Sequence, residues 1–558
     1  MVKNKNWWKE AIVYQVYPRS FKDSNGDGIG DLKGITQKLD YIKSLGVDII
    51  WLNPVFESPN DDNGYDISNY FDIMSDFGTM ADFDELLLEI HEREMKLVLD
   101  LVVNHTSDEH HWFKEARKSR ENPYYDYYLW WPAERGVPPE RKSYFDEKGN
   151  AWMYNETTDS YYLHYFSRKQ PDLNWENDDM REEIYTMMKF WFDKGIDGFR
   201  MDSISLISKD NTFPVIDRRK FHDIFDYYAK GPSLHRHLHE MNRKVLSLYD
   251  VMSVGEGSAV KVKDIGNFVE PARQELDMLY LFEASQIRNE CKADSPESGI
   301  EYSLITLKKM FAECDKAVGE GWPTIYLGNH DQPRMVTRFG NDAPEFHALS
   351  SKMLTTFLLT MRGTPYWYAG DEIGMSNIKF DHIEDYNDID TRNHYYGIKS
   401  TGGDTAKYLE LQKQIARDNA RTPFQWDASE KAGFTTGKPW LKINKNHLSL
   451  NVESEEKDKN SILSYFKKMV LFRKAHKCLI YGDFRLVDTK NERVFGYTRI
   501  SENEKYLIAL NFSKLPATFY ADIYLNNAEV QLFNYETAPD VKGKEIGLRP
   551  YEAAIWKI

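Results

Sequence analysis

Apolar residues along the chain follow two spacings, one helical and one nearly continuous. The helical spacing is clearest before residue 195, at Ile184, Met187, Met188, Trp191 and Phe192. After Gly195 comes a short apolar stretch that ends in Arg200 and Asp202. Side chains two residues apart on a strand point the same way, so we expect a cation and a carboxylate to share one face there. A purely structural ion pair at a strand end is the alternative.

The nearly continuous apolar runs are typical of strands buried in a parallel sheet, and most of them follow a helical pattern. Besides the stretch at 198–202, they occupy residues 11–17, 47–55, 96–104, 251–256, 276–282, 324–331 and 364–372. Eight strands that alternate with helices predict the α/β class and a closed (β/α)₈ TIM barrel. Polar residues that follow such strands meet at one mouth of the barrel, where chemistry is expected.

Two regions break this alternation. Residues 105–175 are rich in aromatic side chains and lack repeated helix–strand units, which indicates a small inserted domain after the third strand. From residue 480, short alternating strands predict a C-terminal antiparallel β-sandwich over 480–558. Residues 1–104 and 176–479 are then left to the catalytic barrel.

Composition excludes several classes of partner. Of 558 residues, 72 are Lys or Arg and 88 are Asp or Glu, and the net charge of −16 argues against nucleic acid binding. The three cysteines, Cys291, Cys314 and Cys478, lack a metal-type spacing and are interpreted as reduced. Neither a signal-peptide core nor an apolar run of membrane-spanning length is present, so we expect a cytoplasmic enzyme without a membrane partner, as a monomer or weak homodimer.

Carboxylates and histidines follow four of the predicted strands, at His105, Arg200 with Asp202, Glu256, and His330 with Asp331. Two carboxyl groups about 5–5.5 Å apart on either side of a sugar would serve a retaining glycosidase. An arginine beside the attacking carboxylate would keep it ionised, and a glutamic acid in a drier pocket would stay protonated.

The loop at residues 23–31 presents oxygen-bearing side chains at alternate positions, with glycines between them. Such oxygens suit a hard cation, and we predict a structural calcium ion there. The loop matches only the first half of an EF-hand, because Gly34 stands where the final glutamate would be. The alternative is a turn rich in Asp and Asn without an ion.

Four motifs in order carry a specific resemblance: DLVVNH at 100–105, GFRMD at 198–202, GE at 255–256 and NHD at 329–331. Together they resemble the α-amylase superfamily, glycoside hydrolase family 13, over essentially the whole chain. The segments at 7–21, 23–32, 170–175 and 417–427 are similar to the oligo-1,6-glucosidase and α-glucosidase subfamily.

The resemblance implies a role for each matching residue. Asp202 would be the nucleophile, Glu256 the general acid and base, and Asp331 the residue that grips the hydroxyls of the terminal glucose. The same subsite would be lined by Asp62, Tyr65, His105, Arg200, His330 and Arg417. Pairing of Asp62 with Arg417 would close the pocket and impose removal of one glucose at a time. The calcium ligands would be Asp23, Asn25, Asp27, the Ile29 carbonyl and Asp31.

The resemblance thus implies a retaining, exo-acting α-glucosidase for α-1,6 or α-1,4 bonds of short oligosaccharides, without an organic cofactor. Ser203 and Gly257, which follow the two catalytic acids, depart from many relatives and are candidate specificity residues. A sucrose isomerase or transglucosidase would use the same intermediate, but Gln332 and the 285–289 segment do not match that group. A non-catalytic subunit would lack the acids, and a disaccharide-phosphate hydrolase would need a basic cluster that is not evident.

Overall fold

The structure, a computed structural model, describes residues 6–146, 148–221, 223–282, 294, 296–525 and 527–558. Eight parallel strands form its centre, and we number them one to eight in chain order. They span Val13–Val16, Ile49–Leu52, Lys96–Val102, Gly198–Asp202, Met252–Gly257, Met278–Leu281, Thr324–Ile325 and Thr364–Tyr368. All eight correspond to predicted strands.

These strands lie in the order 6-5-4-3-2-1-8-7, so every neighbour in the sheet is also a neighbour in the chain or joins strand 1 to strand 8. The remaining seam, between strands 6 and 7, is bridged by side chains. Thr324 Oγ1 donates to the Leu279 carbonyl at 3.1 Å, and the Tyr326 hydroxyl donates to the Leu281 carbonyl at 2.6 Å. The sheet therefore closes into the predicted TIM barrel.

The helix before strand 4 shows why the sequence folds as the pattern predicts. It spans Asp178–Lys194, and the Asn177 side chain caps its first turn by accepting from the Met180 N–H at 2.9 Å. Gly195 ends it at φ 109°, a left-handed conformation that glycine adopts without strain. Its apolar face is buried, and the Trp191 indole donates to the Tyr70 carbonyl at 2.8 Å.

Helices surround the barrel and connect it to the other domains. They span Pro18–Phe21, Leu32–Gln37, Leu39–Ser44, Met80–Glu92, His111–Ala116, Asp178–Lys194, Phe225–Tyr228, Leu234–Lys244, Gly266–Val269, Leu304–Ala317, Met335–Phe339, His347–Thr360, Ile389–Ser400, Thr405–Ile415, Val452–Lys457, Ile462–Ala475 and Cys478–Tyr481. None of them, in the part of the chain that the structure describes, combines the length and apolar character that a bilayer crossing requires.

A two-stranded ribbon, Phe56–Glu57 with Asn69–Ile73, follows strand 2.

The aromatic-rich segment after strand 3 contains a small antiparallel sheet of three strands, Trp130–Pro132, Trp152–Asn155 and Ser160–Leu163. Trp130 stacks on Tyr125, with ring centroids 4.8 Å apart, and on Phe113, with centroids 5.8 Å apart. Most of these aromatic rings are therefore core. A β-bridge between His105 and Asp172 ties the end of this segment back to the end of strand 3.

The C-terminal region folds into two antiparallel sheets that enclose an apolar core. Its strands are Asp483–Val487, Val494–Ile500, Lys505–Asn511, Ala517–Tyr520, Glu529–Phe533, Asp540–Lys542, Glu545–Leu548 and Ala553–Lys557. Gly496 is required where the sheets meet, because a Cβ there would lie 2.0 Å from the Phe519 ring. This is the predicted antiparallel β-domain.

Strand 7 differs from the prediction, because only Thr324–Ile325 of the predicted 324–331 stretch pairs with a neighbour. The residues beyond leave the sheet and carry His330 and Asp331 into the barrel mouth, where both make side-chain contacts.

Candidate active site

Arg200 is the hub of the carboxyl-end mouth of the barrel. Its Nη1 lies 2.6 Å from Asp100 Oδ1 and 2.9 Å from Asp202 Oδ1, and its Nη2 lies 2.9 Å from Glu256 Oε2. Arg200 and Asp202 share one face of strand 4, as their spacing predicts. One buried guanidinium therefore contacts three carboxylates from strands 3, 4 and 5.

Asp202 and Glu256 lie beside each other at the ends of strands 4 and 5, which pair in parallel with Gly255 opposite Met201. The residue after Asp202, Ser203, has φ 43°, and its backbone N–H donates to Glu256 Oε2 at 2.8 Å. A non-glycine residue in this conformation stores strain, which is typical of functional sites. The turn after Asp202 thus also orients Glu256.

The protonation of this carboxyl pair differs from the expectation that Arg200 keeps Asp202 ionised. Burial and the neighbouring Glu256 raise the pKa of Asp202 well above its ordinary value, and Arg200 only partly opposes them. A carboxyl group next to a second one in a dry site gives up its proton less readily than an isolated one, so the free site favours a proton on Asp202. A retaining glycosidase needs one such proton for its leaving group.

Asp100 is a buried contact of the hub that the sequence analysis did not single out. Its Oδ2 accepts from the Tyr65 hydroxyl at 2.9 Å, and burial raises the pKa of Asp100 to about 6 against the influence of Arg200. The sequence did contain an indication that Asp100 is unusual, because a charged residue interrupts the apolar run of strand 3. Only the structure identifies Arg200 as its partner.

His330 lies between Tyr65 and Asp331. The Tyr65 hydroxyl is 2.6 Å from its Nε2, and Asp331 Oδ2 is 3.1 Å from the same nitrogen. The Gln15 carboxamide nitrogen lies 2.9 Å from Nδ1, which assigns the proton of the neutral ring to Nε2. Burial lowers the pKa of His330 well below its ordinary value, so the ring acts as a neutral donor.

Asp331 faces two arginines. Its Oδ1 lies 2.7 Å from Arg421 Nη2 and 3.3 Å from Arg417 Nη1. Burial alone would raise the pKa of Asp331, but nearby positive charges, including these guanidinium groups, lower it below its ordinary value. Asp331 is therefore ionised, as a residue that accepts hydrogen bonds from sugar hydroxyls should be.

Arg417 and Asp62 form the pair that the resemblance implied, with 3.3 Å between Nη2 and Oδ1. A second carboxylate, Asp388, accepts from Arg417 Nε at 2.9 Å and is also contacted by Nη2. The Phe145 ring, from the aromatic-rich segment, lies 4.8 Å from the guanidinium carbon of Arg417. Asp388 fixes Arg417 from behind and was missed by the sequence analysis, since it follows no predicted strand.

His105 is fully buried, and its Nε2 lies 2.9 Å from the Tyr65 carbonyl. The Gln170 carboxamide nitrogen lies 3.2 Å from the same atom and also donates to Asp62 Oδ2 at 3.1 Å. Burial lowers the pKa of His105 to about 4, so the ring is neutral. Gln170 joins the aromatic-rich segment to both residues of the pocket.

A cavity of about 550 Å³ opens over these residues. It is lined by Asp62, Tyr65, His105, Tyr144, Phe145, Phe166, Asp202, Ser203, Asp223, Phe225, Asp226, Glu256, Ser258, Ala259, Lys261, Phe282, Asp331 and Arg417. Arg200 and His330 contact this lining from below. Gly257 faces the barrel wall instead, because a Cβ there would lie 2.9 Å from the Tyr280 carbonyl oxygen and 3.0 Å from Leu279.

The 23–31 loop lies apart from this cavity and is held by its own polar groups. Asp23 accepts from the N–H groups of Asn25, Gly26 and Gly28, and Asp31 accepts from Ser24 and Gly34. These oxygens fit a hard cation chemically. Among the described residues, however, no three carboxylate, imidazole or thiol side chains are grouped so that they could hold a metal.

The predicted difference from sucrose isomerases at 285–289 lies outside the described residues, as does Cys291. The other predicted site residues are all described.

Comparison with known proteins gives consistent matches over the whole chain. Residues 15–482 match the model of the alpha amylase catalytic domain, and residues 484–555 match that of the maltogenic amylase C-terminal domain. An oligo-1,6-glucosidase of Parageobacillus thermoglucosidasius is 50% identical over 99% of both chains, and one of Bacillus cereus is 48% identical over 99% of this chain and 100% of the relative. The crystal structure of an isomaltulose synthase from Klebsiella sp. LX3 is 42% identical over 99% of both chains, with a TM-score of 0.93.

Proposed function

Because the chain belongs to the α-amylase family and is a glycoside hydrolase, we propose that it is a retaining, exo-acting α-glucosidase that acts on short oligosaccharides. The observation that carries this proposal is the contact of one guanidinium, Arg200, with both Asp202 and Glu256 at the barrel mouth. That arrangement supports a nucleophile and an acid on the two sides of one glycosidic bond.

In the proposed reaction, an Asp202 oxygen bonds to the anomeric carbon as the bond to the leaving oxygen breaks. Glu256 gives its proton to that oxygen, and the released sugar departs. A water then attacks the same carbon and returns a proton to Glu256, while the bond to Asp202 breaks. Asp331 binds hydroxyls of the glucose and stabilises the positive charge that develops in its ring, and the neutral donor His330 holds Asp331 and Tyr65 in place.

Exo action is supported by the Asp62–Arg417 pair at the side of the cavity. Asp388 and Phe145 contact Arg417 as well, and a pair held in this way would block a longer chain behind the terminal glucose. For the linkage, the names of the relatives favour α-1,6 bonds, as in isomaltose. The small Ser203 beside the leaving group leaves α-1,4 bonds accessible as well.

The test is a product assay on isomaltose, maltose, trehalose and sucrose with the anomeric form of released glucose followed by polarimetry or NMR. We expect isomaltose to be the best of these substrates and α-glucose to appear first. Release of β-glucose first would contradict a retaining mechanism, and cleavage of internal bonds in a longer chain would contradict exo action.

Sucrose isomerisation is the second candidate, favoured by the likeness to the isomaltulose synthase structure. The two functions share the glucosyl intermediate and differ in whether water or the retained fructose attacks it. Isomaltulose as the main product from sucrose would establish the isomerase, whereas glucose and fructose would support the hydrolase.

We propose three further properties of the protein. Oxygen ligands at Asp23, Asn25, Asp27, the Ile29 carbonyl and Asp31 support a structural calcium ion. Three cysteines without a metal or disulfide spacing support a cytoplasmic location. We also propose a monomer or weak homodimer, to be measured by sedimentation.

A further inference from the structure

A sharp turn at residues 61–65 supplies two side chains of the glucose pocket. Asp62 pairs with Arg417, and three residues later the Tyr65 hydroxyl contacts His330 and Asp100. The position of this turn therefore decides whether both residues reach their partners.

The backbone is strained at two asparagines in and next to this turn, whereas glycine at position 64 adopts the left-handed conformation without strain. Asn60 has φ 64°, Asn63 has φ 49° and Gly64 has φ 98°, so three residues within five lie in the left-handed region. Such a segment persists only when its surroundings fix it from outside. Gly64 also packs closely, because a Cβ there would lie 3.2 Å from Pro54.

The group that fixes the turn is the carboxylate of the next residue, Asp66, which is fully buried. Its Oδ2 accepts from the Asp61 N–H at 2.8 Å, and its Oδ1 accepts from the Asp62 N–H at 3.0 Å. The Ser58 hydroxyl donates to Oδ1 at 3.0 Å. Three donors at or before the start of the turn thus converge on one side chain that follows its end and does not line the cavity.

We propose that Asp66 is a positioning residue for the terminal-glucose pocket, since its carboxylate holds the 61–65 turn where Asp62 reaches Arg417 and Tyr65 reaches His330. The proposal rests on the proposed α-glucosidase function for its kinetic consequence. Asp66 acts only through the turn and takes no part in the chemical steps.

The charge of Asp66 matters to this role. Burial raises the pKa of Asp66 to about 7, although the N–H groups of Asp62 and Asp61 oppose the shift. The charged groups that face it are the Asp61 and Asp62 carboxylates, with the Ser167 hydroxyl on Asp61 and Arg417 on Asp62. A proton on Oδ2 would replace an acceptor with a donor directed at the Asp61 N–H, which would loosen the turn at acid pH.

The first test is Asp66→Asn, which places an NH₂ group against a backbone N–H. We expect KM for isomaltose to rise about tenfold, the loss typical of one hydrogen bond to a charged group, while kcat changes by less than about threefold. The wild-type KM should rise as the pH falls through about 7, and the rise should be smaller in the variant, where pocket carboxyl groups such as Asp62 still titrate but residue 66 does not. The matched control is Asp72→Asn, an exposed residue of the adjacent ribbon, which should leave both constants unchanged.

Ser58→Ala is the second variant, because it removes one donor to Asp66 with little change in volume. It should raise KM by a smaller factor than Asp66→Asn does. If Asp66→Asn does not fold, this variant tests whether Asp66 positions the turn. Hydrogen exchange of the 58–66 peptide gives a readout independent of activity, and both variants should speed it.

Unchanged KM and unchanged exchange in both variants would overturn the positioning role. Faster exchange with unchanged KM would also overturn it, since the turn would then be irrelevant to the pocket. If the wild type cleaves no α-glucoside, the proposed function fails instead, and unchanged exchange would then reject the anchoring by Asp66 separately.

Discussion

Arg200 and Glu256 form an ion pair across the ends of barrel strands 4 and 5, with 2.9 Å between Nη2 and Oε2. The other arm of the same guanidinium contacts Asp100 and Asp202. One cation thus stands among three buried carboxylates, so the cluster retains negative charge even when it holds a proton. Arg200 therefore fixes the positions of Asp202 and Glu256 and lowers the pKa of Asp202 against burial.

Removing the charge of Arg200 should change the pH dependence as well as the rate. In Arg200→Gln, the carboxylates lose the cation that lowers the pKa of Asp202, so that pKa rises further. We expect the acid limb of kcat/KM to move to higher pH and kcat to fall by at least about a hundredfold. Arg200→Lys keeps the charge but cannot contact all three carboxyl groups at once. Its kcat and the position of its acid limb should therefore lie between those of the wild type and Arg200→Gln. An acid limb that stays in place in a folded Arg200→Gln enzyme would contradict this role.

Exchanging the two acids for their amides should separate their roles. Asp202→Asn and Glu256→Gln keep side-chain volume, and each should lower kcat on isomaltose by about a thousandfold or more. With an aryl α-glucoside, whose leaving group needs no proton, Glu256→Gln should still show a burst of released phenol, and Asp202→Asn should show none. Asp522→Asn, an exposed change in the C-terminal domain, is the control. A burst from Asp202→Asn would exclude it as the nucleophile.

His394 should contribute to stability over a defined pH range. Its Nδ1 lies 2.8 Å from Asp390 Oδ1 in the helix Ile389–Ser400, and this hydrogen bond raises the pKa of His394 to about 9, although burial opposes it. A raised histidine pKa stabilises the fold fully below the unfolded value of about 6.5, and the contribution is lost as the pH rises through about 9.

The measurement is the free energy of unfolding in urea for wild type and His394→Gln from pH 6 to pH 10. The difference should be largest at pH 6, at most about 1 kcal/mol because the side chain is 45% exposed, and should vanish above pH 9. A difference that does not depend on pH would show that packing, rather than charge, accounts for it.

Much of the fold could be predicted from periodicity because each barrel strand is an apolar run that ends in polar residues. Arg200 and Asp202 could be placed on one face for the same reason, since a period of two is a local property. The early end of strand 7 could not be predicted, because the apolar residues Tyr326 and Leu327 continue the run although pairing stops at Ile325.

The sequence could not show which residues each site residue contacts. Asp100 stood out as a charge in an apolar run, but nothing local shows that it faces Arg200 rather than a helix. Asp66 stood out only as one of several polar residues that follow strand 2, and Asp388 follows no predicted strand. The conformation around both is set by contacts with residues far away in the chain or by strained turns. Positioning residues of this kind become visible only when distances are known.

A structural calcium ion in the 23–31 loop should raise the melting temperature rather than take part in catalysis. The loop lies apart from the cavity, and Asp23 and Asp31 already accept several backbone N–H groups. Removal of the ion with a chelator should lower the melting temperature by several degrees, with kcat unchanged at temperatures where the protein stays folded. Asp27→Asn should reduce the calcium content measured by elemental analysis. A protein that contains no calcium and melts identically with and without chelator would contradict the proposal.

Asp388 and Asp62 both contact Arg417, but we expect their substitution to change the free energy of unfolding by different amounts. Asp388 is fully buried, accepts from Arg417 Nε at 2.9 Å and from the Thr391 hydroxyl at 2.8 Å, and the surrounding arginines lower its pKa against burial. Asp62 lies at the cavity surface, and burial raises its pKa to about 6 despite Arg417. The fold therefore favours a charge at Asp388 and disfavours one at Asp62.

Asp388→Asn should lower the free energy of unfolding by about 3 kcal/mol, as expected when one partner of a buried ion pair is removed, and should also raise KM for isomaltose. Asp62→Asn should raise KM by a similar factor but change stability by less than about 1 kcal/mol, since it removes a charge that the fold disfavours. Urea unfolding at pH 7 and initial rates on isomaltose measure both. Equal losses of stability in the two variants would show that Arg417 is held by the two carboxylates alike, and an unchanged KM in Asp388→Asn would show that Asp62 alone positions it.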